Sequence, residues 1–111
     1  MISLRDAAME HLKFACETGW TLEAVLARKC GSCSPAQDDV PAIWITQGMG
    51  YLFPTRDGGE GIKIKAGHIG IAFYYKDGRS QHGVFDVREL WEEMTGERPR
   101  QLMLWAEEKE G

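Results

Sequence analysis

The chain has 111 residues, of which 43% are hydrophobic and 27% are charged, and its formal net charge at pH 7 is −4. These values fit a single globular domain with a sizeable core, and they exclude wholesale disorder. No apolar run is long enough to cross a membrane, and residues 1–10 lack the apolar stretch of a secretion signal. Because the three cysteines form an odd set without a disulfide framework, we expect a reduced, cytoplasmic protein.

Two short helices are predicted at the start of the chain. Ser3 is a good N-cap for the first helix, with Asp6 at the capping-box position. Thr21 can cap a second helix, which we expect to end at Cys30. The short connection between them predicts a helical hairpin that lies on a sheet.

Several short strands are expected after these helices. Residues 32–41 have the composition of a loop, and the β-branched residues of 42–46 favour a strand. A short helix capped by Asp39, with Pro41 in its first turn, is the alternative there. Further strands are predicted over residues 51–53, 62–65 and 101–105.

A β-hairpin is predicted around Asp77 and Gly78, which separate two segments of alternating apolar residues. If these two residues form a type I′ turn, Phe73 lies opposite His82. In that register His68 and His82 point to opposite faces of the sheet.

The third predicted helix covers residues 86–95. Asp86 is its expected N-cap, Glu89 completes a capping box, and Gly96 ends the helix. The apolar residues recur at helical spacing and predict one buried stripe, which comprises Val87, Leu90, Trp91 and Met94.

These elements together predict an α+β fold. We expect an N-terminal helical hairpin packed on a mainly antiparallel sheet of about four to six strands. The third helix (86–95) and a final strand follow. Residues 1–111 should form one domain, with a frayed acidic tail from about residue 106.

The net charge lies in the C-terminal part of the chain. Residues 1–85 carry equal numbers of acidic and basic side chains, whereas residues 86–111 carry eight acidic and four basic ones. Because phosphate binding usually leaves a basic footprint, we do not expect direct nucleic-acid binding, and a basic surface of another protein is a better partner. The predicted partner-binding residues are Glu89, Glu92, Glu93, Glu97 and Trp105. The plain alternative is that these acidic residues only keep the domain soluble.

Cys30 and Cys33 have the spacing of a metal-binding or redox pair. A redox pair needs a helix N-terminus, whereas this pair is expected after a helix. Zinc needs two further ligands, and the predicted register separates His68 from His82. We therefore expect no cofactor, with a structural zinc site on Cys30 and Cys33 as an alternative.

A second alternative is a small enzyme or ligand-binding domain. Its pocket would lie near His68, Tyr51 and Tyr74, under the glycine-rich loop of residues 57–61. However, the chain contains neither a phosphate-binding glycine motif nor a nucleophile elbow. The main expectation is therefore a protein that is not an enzyme.

The leading hypothesis is a small acidic protein-interaction module. It would act as an inhibitor or immunity-type protein that blocks a basic, nucleic-acid-binding site on a partner protein. In its general appearance the chain resembles small proteins carried by phages and mobile elements, anti-CRISPR inhibitors among them, although no motif carries that resemblance. A homodimer through the final strand, residues 102–105, would be a further interaction.

Overall fold

The computed structural model describes residues 2–96, which form three helices and six strands. In chain order these are α1 (Leu4–Glu17), α2 (Leu22–Ala27), β1 (Cys30–Ser34), β2 (Ala42–Gln47), β3 (Tyr51–Leu52), β4 (Ile62–Lys63), β5 (His68–Tyr74), β6 (Ser80–Asp86) and α3 (Val87–Thr95). One antiparallel sheet has the strand order β1-β2-β5-β6, and β3 pairs with β4 in a second, two-stranded sheet. The α+β prediction is confirmed. The predicted final strand, the acidic tail and the homodimer contact lie outside the described residues.

The helix starts follow the predicted caps. The Ser3 side chain accepts a hydrogen bond from the backbone N–H of Asp6 at 3.0 Å, and the Asp6 carboxylate accepts one from the Ser3 N–H at 3.4 Å. Thr21 caps α2 and Asp86 caps α3 with bonds of 3.1 and 3.2 Å. Each cap satisfies a backbone donor that has no partner within its helix.

The helices cover one face of the main sheet. α1 and α3 pack on the face that carries Ile69, Ile71 and Phe73, and these side chains are fully buried. Both α1 and α2 pack mainly against α3 rather than against each other, so the expected packed hairpin of the first two helices is replaced by a layer of three helices with α3 as the shared neighbour. The apolar contact between the helices and the sheet forms the larger of the two hydrophobic cores within the described residues.

The strand prediction for residues 42–46 is confirmed. β2 pairs with β1 on one side and with β5 on the other, which places Ile45 opposite Ile71 and Ile43 opposite Phe73. The alternative helix capped by Asp39 is wrong, because backbone pairing on both sides together with β-branched side chains stabilises the extended chain.

The predicted loop over residues 32–41 is partly wrong, because Cys30–Ser34 forms the edge strand β1. Correspondingly, α2 ends at Ala27 and not at Cys30. Gly and Ser have weak intrinsic preference for strands, so local sequence gives no signal for β1. Pairing with the isoleucine-rich β2 determines its conformation.

The hairpin between β5 and β6 is present, but its predicted register is wrong by one residue. His82 pairs with Ala72 and not with Phe73. The loop contains three residues, in which Gly78 has φ +95° and Asp77 keeps a negative φ. A type I turn followed by a left-handed glycine requires only one residue with positive φ, whereas a type I′ turn would force Asp77 into that region as well.

The other face of the main sheet is partly covered by the small β3–β4 sheet. Leu52 and Ile64 form a second core there with Ala72 and Tyr74. The contact depends on Gly70, because a Cβ atom at this position would lie 2.7 Å from Ile64 Cδ1. Both β3 and β4 are shorter than the predicted strands at 51–53 and 62–65.

Candidate functional site

The outer surface of α1 and α3 is acidic. These two helices pack side by side and carry six acidic side chains against three basic ones. The acidic residues are Asp6, Glu10, Glu17, Glu89, Glu92 and Glu93, and the basic residues are Arg5, Lys13 and Arg88. We call the outer surface formed by α1 and α3 the acidic helical layer.

An open groove of about 470 Å³ lies on the acidic helical layer, between α1 and the end of α3. Its apolar walls come from Ile2, Met9, Cys16 and Met94. Asp6, Glu10 and Glu17 line the same groove, together with Lys13. The groove therefore combines apolar surface with a surplus of carboxylates.

Two ion pairs organise these charges. Arg5 on α1 forms an ion pair with Glu93 on α3, which ties the two helices together. Lys13 and Glu17 lie one turn apart on α1 with a separation of 3.9 Å. Both pairs are solvent-exposed, so each contributes at most about 1 kcal/mol to folding.

Phe14 extends the acidic helical layer with an exposed apolar side chain. Its side chain is 66% exposed on α1, one turn from Glu10 and Glu17. Large aromatic residues in such positions are enriched in protein interfaces. This residue was not predicted from the sequence. Its position around α1, outside the apolar stripe of the helix, could have been read from the helical spacing.

The predicted partner-binding residues are only partly within the described chain. Glu89, Glu92 and Glu93 lie on α3, and Glu93 is paired with Arg5. Glu97 and Trp105 lie outside the described residues. The folded chain adds the carboxylates of α1 to this surface.

The predicted pocket at His68, Tyr51 and Tyr74 does not form as one site. His68 and Tyr74 occupy opposite ends of β5, about 20 Å apart at the usual rise of a strand. His68 is half-buried beside the carbonyl of Ala66, with Nδ1 at 3.2 Å. Tyr51 lies on β3 and stacks on Phe53.

A different cavity, of about 280 Å³, is present at the Tyr74 end of the sheet. Trp44, Phe53 and Tyr74 contribute aromatic side chains to it, and Arg56 contributes a cation. Burial, with a smaller effect of the Cys33 charge, raises the pKa of Tyr74 above its usual value of 10.0. Its hydroxyl donates a hydrogen bond to the Phe53 carbonyl.

Cys30 and Cys33 do not form a two-thiol site. They are three residues apart on β1, so their side chains point to opposite faces of the sheet. Residues 2–96 contain no group of three or more His, Cys, Asp or Glu side chains placed to bind a metal ion. The zinc alternative built on this pair is therefore not supported by the geometry.

Cys30 instead faces His11 on α1. His11 Nε2 lies 3.3 Å from Cys30 Sγ, and the thiol lies 3.7 Å from Oε1 of the buried Gln47. Gln47 Nε2 donates to the Val25 carbonyl at 3.0 Å, which fixes its amide. Burial, with a smaller effect of the positive charge of Arg28, lowers the pKa of His11. No sequence spacing indicated this cluster, because three separate elements bring its members together.

Comparisons with protein-family models, with curated proteins and with solved structures found no match to this chain. Within residues 2–96, no helix combines the length and the apolar character that crossing a bilayer requires.

Proposed function

We propose that this protein is an interaction module whose acidic helical layer binds a basic, nucleic-acid-binding site on a partner protein and blocks that site. The observation that carries the proposal is the side-by-side packing of two acidic helices around a groove that is both apolar and rich in carboxylates. Carboxylates of an inhibitor can occupy the positions where phosphates would bind, and opposite charges accelerate association.

The proposal extends to the chemistry of the partner segment, and the lining of the groove supports it. Its carboxylates favour a partner segment with lysine or arginine, and its apolar walls favour a segment that also carries an aliphatic or aromatic side chain. Phe14 provides a nearby contact outside the groove. A purely polar polycation would leave the walls of Ile2, Met9 and Met94 unused.

The proposed role requires no catalysis and no cofactor. We place it in the cytoplasm, because Cys16, Cys30 and Cys33 are free thiols in the fold. An origin in a phage or mobile element fits a small inhibitor, and it is part of the same proposal.

The proposal is tested by affinity capture from nuclease-treated extract of the cells that encode the protein. We compare the parent with Glu10→Lys/Glu17→Lys, which reverses two charges in the groove. The matched control is Asp57→Lys/Glu60→Lys, which makes the same change in net charge in the loop between β3 and β4.

The expected result is capture of a basic, nucleic-acid-binding protein by the parent and by the control, with at least about tenfold less capture by the groove variant. The captured protein is then purified and its direct binding is measured at two salt concentrations. Equal capture by the groove variant and the control would contradict the proposal, as would a partner without a basic surface.

A further inference from the structure

We propose that the cavity between Trp44, Tyr74 and Arg56 binds a small planar aromatic anion, that is, an aromatic ring bearing a carboxylate or a phosphate. This site lies at one end of the main sheet, on the face opposite the acidic helical layer. It is independent of the proposed interaction with a protein partner.

The walls of the cavity are aromatic, and Tyr74 and Trp44 contact each other there. Tyr74 is 4% exposed, and its hydroxyl donates to the carbonyl of Phe53. Its ring meets Trp44 edge to face, with centroids 6.2 Å apart and an interplanar angle of 81°. Trp44 is nevertheless 42% exposed, so part of its indole is available to a ligand. Such a surface favours a flat, apolar ring.

Arg56 supplies the charge preference. One guanidinium nitrogen donates to the backbone carbonyl of Tyr74 at 3.4 Å, which holds the group at the cavity. Within residues 2–96 Arg56 forms no ion pair, so its charge is not neutralised by a described carboxylate. A guanidinium in this state is well suited to a carboxylate or phosphate, which it can bind through two hydrogen bonds.

The size of the cavity limits the ligand. About 280 Å³ lies just below the usual range for small-molecule sites, which is roughly 300–1,000 Å³. The cavity therefore suits one small molecule with one ring system. Gly58, in the loop after β3, lies at its border.

Two sources supply this chemistry, an aromatic carboxylate and a nucleoside monophosphate. The test uses matched pairs of probes, namely indole-3-acetate with indole and adenosine monophosphate with adenosine. Acetate and inorganic phosphate serve as anions without a ring. The readout is the indole N–H signal of Trp44 in ¹H–¹⁵N spectra, assigned with Trp44→Phe, while the signals of Trp20 and Trp91 serve as internal references.

The expected result is a saturable shift of the Trp44 signal with the anionic member of at least one pair, and binding at least about tenfold tighter than for its neutral counterpart. Arg56→Gln should weaken that binding about tenfold, and Arg56→Lys should restore part of it. Arg88→Gln, the same change on the opposite layer, should leave it unchanged. The pair that responds identifies the source of the anion.

Three results would overturn the proposal. The first is that no probe gives a saturable, Trp44-selective shift at concentrations on the order of 10 mM, because an affinity weaker than that is not specific recognition. The second is equal binding of the neutral and anionic members of both pairs. The third is unchanged binding by Arg56→Gln. Circular dichroism checks that this variant is folded.

Discussion

At the scale of single residues, Gly70 determines how closely the two sheets approach each other. Gly70→Ala should destabilise the protein by about 1–3 kcal/mol, because its Cβ atom would overlap with Ile64 and crowd Leu52. Gly31→Ala is the matched control, since Gly31 is also a strand glycine and a Cβ atom there meets only the Ile45 carbonyl at 3.4 Å. Urea unfolding measures both variants, and equal stability would contradict the packing described for Gly70.

His11 should make folding stability depend on pH. Burial lowers its pKa below the usual 6.5, so the unfolded chain binds more protons than the folded chain at slightly acidic pH. The free energy of unfolding should therefore fall as pH decreases through 6.5 towards the folded-state pKa of His11, and this contribution should be constant above that window.

To isolate this effect, the free energy of unfolding is measured between pH 7.5 and 5 for the parent, His11→Gln and His82→Gln, and the three pH dependences are compared. His11→Gln should lose less stability than the parent over this range, because it removes the titrating group. The exposed His82 serves as the control. A pH dependence of His11→Gln as steep as that of the parent would show that His11 is not the responsible group.

At the scale of elements, the β5–β6 hairpin makes a specific structural prediction. With the observed pairing, Ala72 and His82 lie directly opposite each other in a pair without mutual hydrogen bonds. Nuclear Overhauser spectra should therefore show a strong contact between their Hα atoms. A strong contact between the Hα atoms of Phe73 and His82 instead would indicate the two-residue turn.

The same hairpin gives a second measurable outcome. Gly78→Ala should cost about 1–2 kcal/mol, because a left-handed conformation is strained for any residue with a side chain. Asp77→Ala should avoid this strain, because Asp77 has a negative φ, and should lose only its bonds to Arg79. Thermal unfolding distinguishes the two variants, and a smaller loss for Gly78→Ala would be inconsistent with the observed turn.

Local signals predicted some elements well, and their success has a physical cause. Ser3, Thr21 and Asp86 cap helices through bonds to residues three positions away, so a short window of sequence contains the whole interaction. β1 could not be predicted in this way, because its strand conformation depends on β2. The hairpin register likewise depended on whether Asp77 would accept a positive φ.

At the scale of the whole molecule, the fold brings acidic side chains together that are far apart in the sequence. Along the sequence, residues 1–85 are neutral and only the C-terminal part is acidic. In the fold, α1 brings Glu10 and Glu17 next to α3, so the acidic surface is larger than the sequence count indicated. The groove depends on contacts between distant segments, and helix phase alone did not reveal it.

The same folding separates residues that the sequence suggested as partners. Cys30 and Cys33 are close in sequence but lie on opposite faces of β1, whereas His11 meets Cys30 across 19 positions. His68 and Tyr74 share a strand but lie at its two ends. Spacing is therefore a reliable guide to a site only where the element type is already known.

The most direct test of the proposed function is a displacement measurement on the captured partner. Fluorescence anisotropy follows a labelled nucleic acid bound to that partner while increasing amounts of this protein are added. The parent and Asp57→Lys/Glu60→Lys should displace the nucleic acid, and Glu10→Lys/Glu17→Lys should require at least about tenfold more protein. Undiminished displacement by the groove variant, or nucleic acid that stays bound when the parent saturates the partner, would contradict the assignment of the acidic helical layer as the blocking surface.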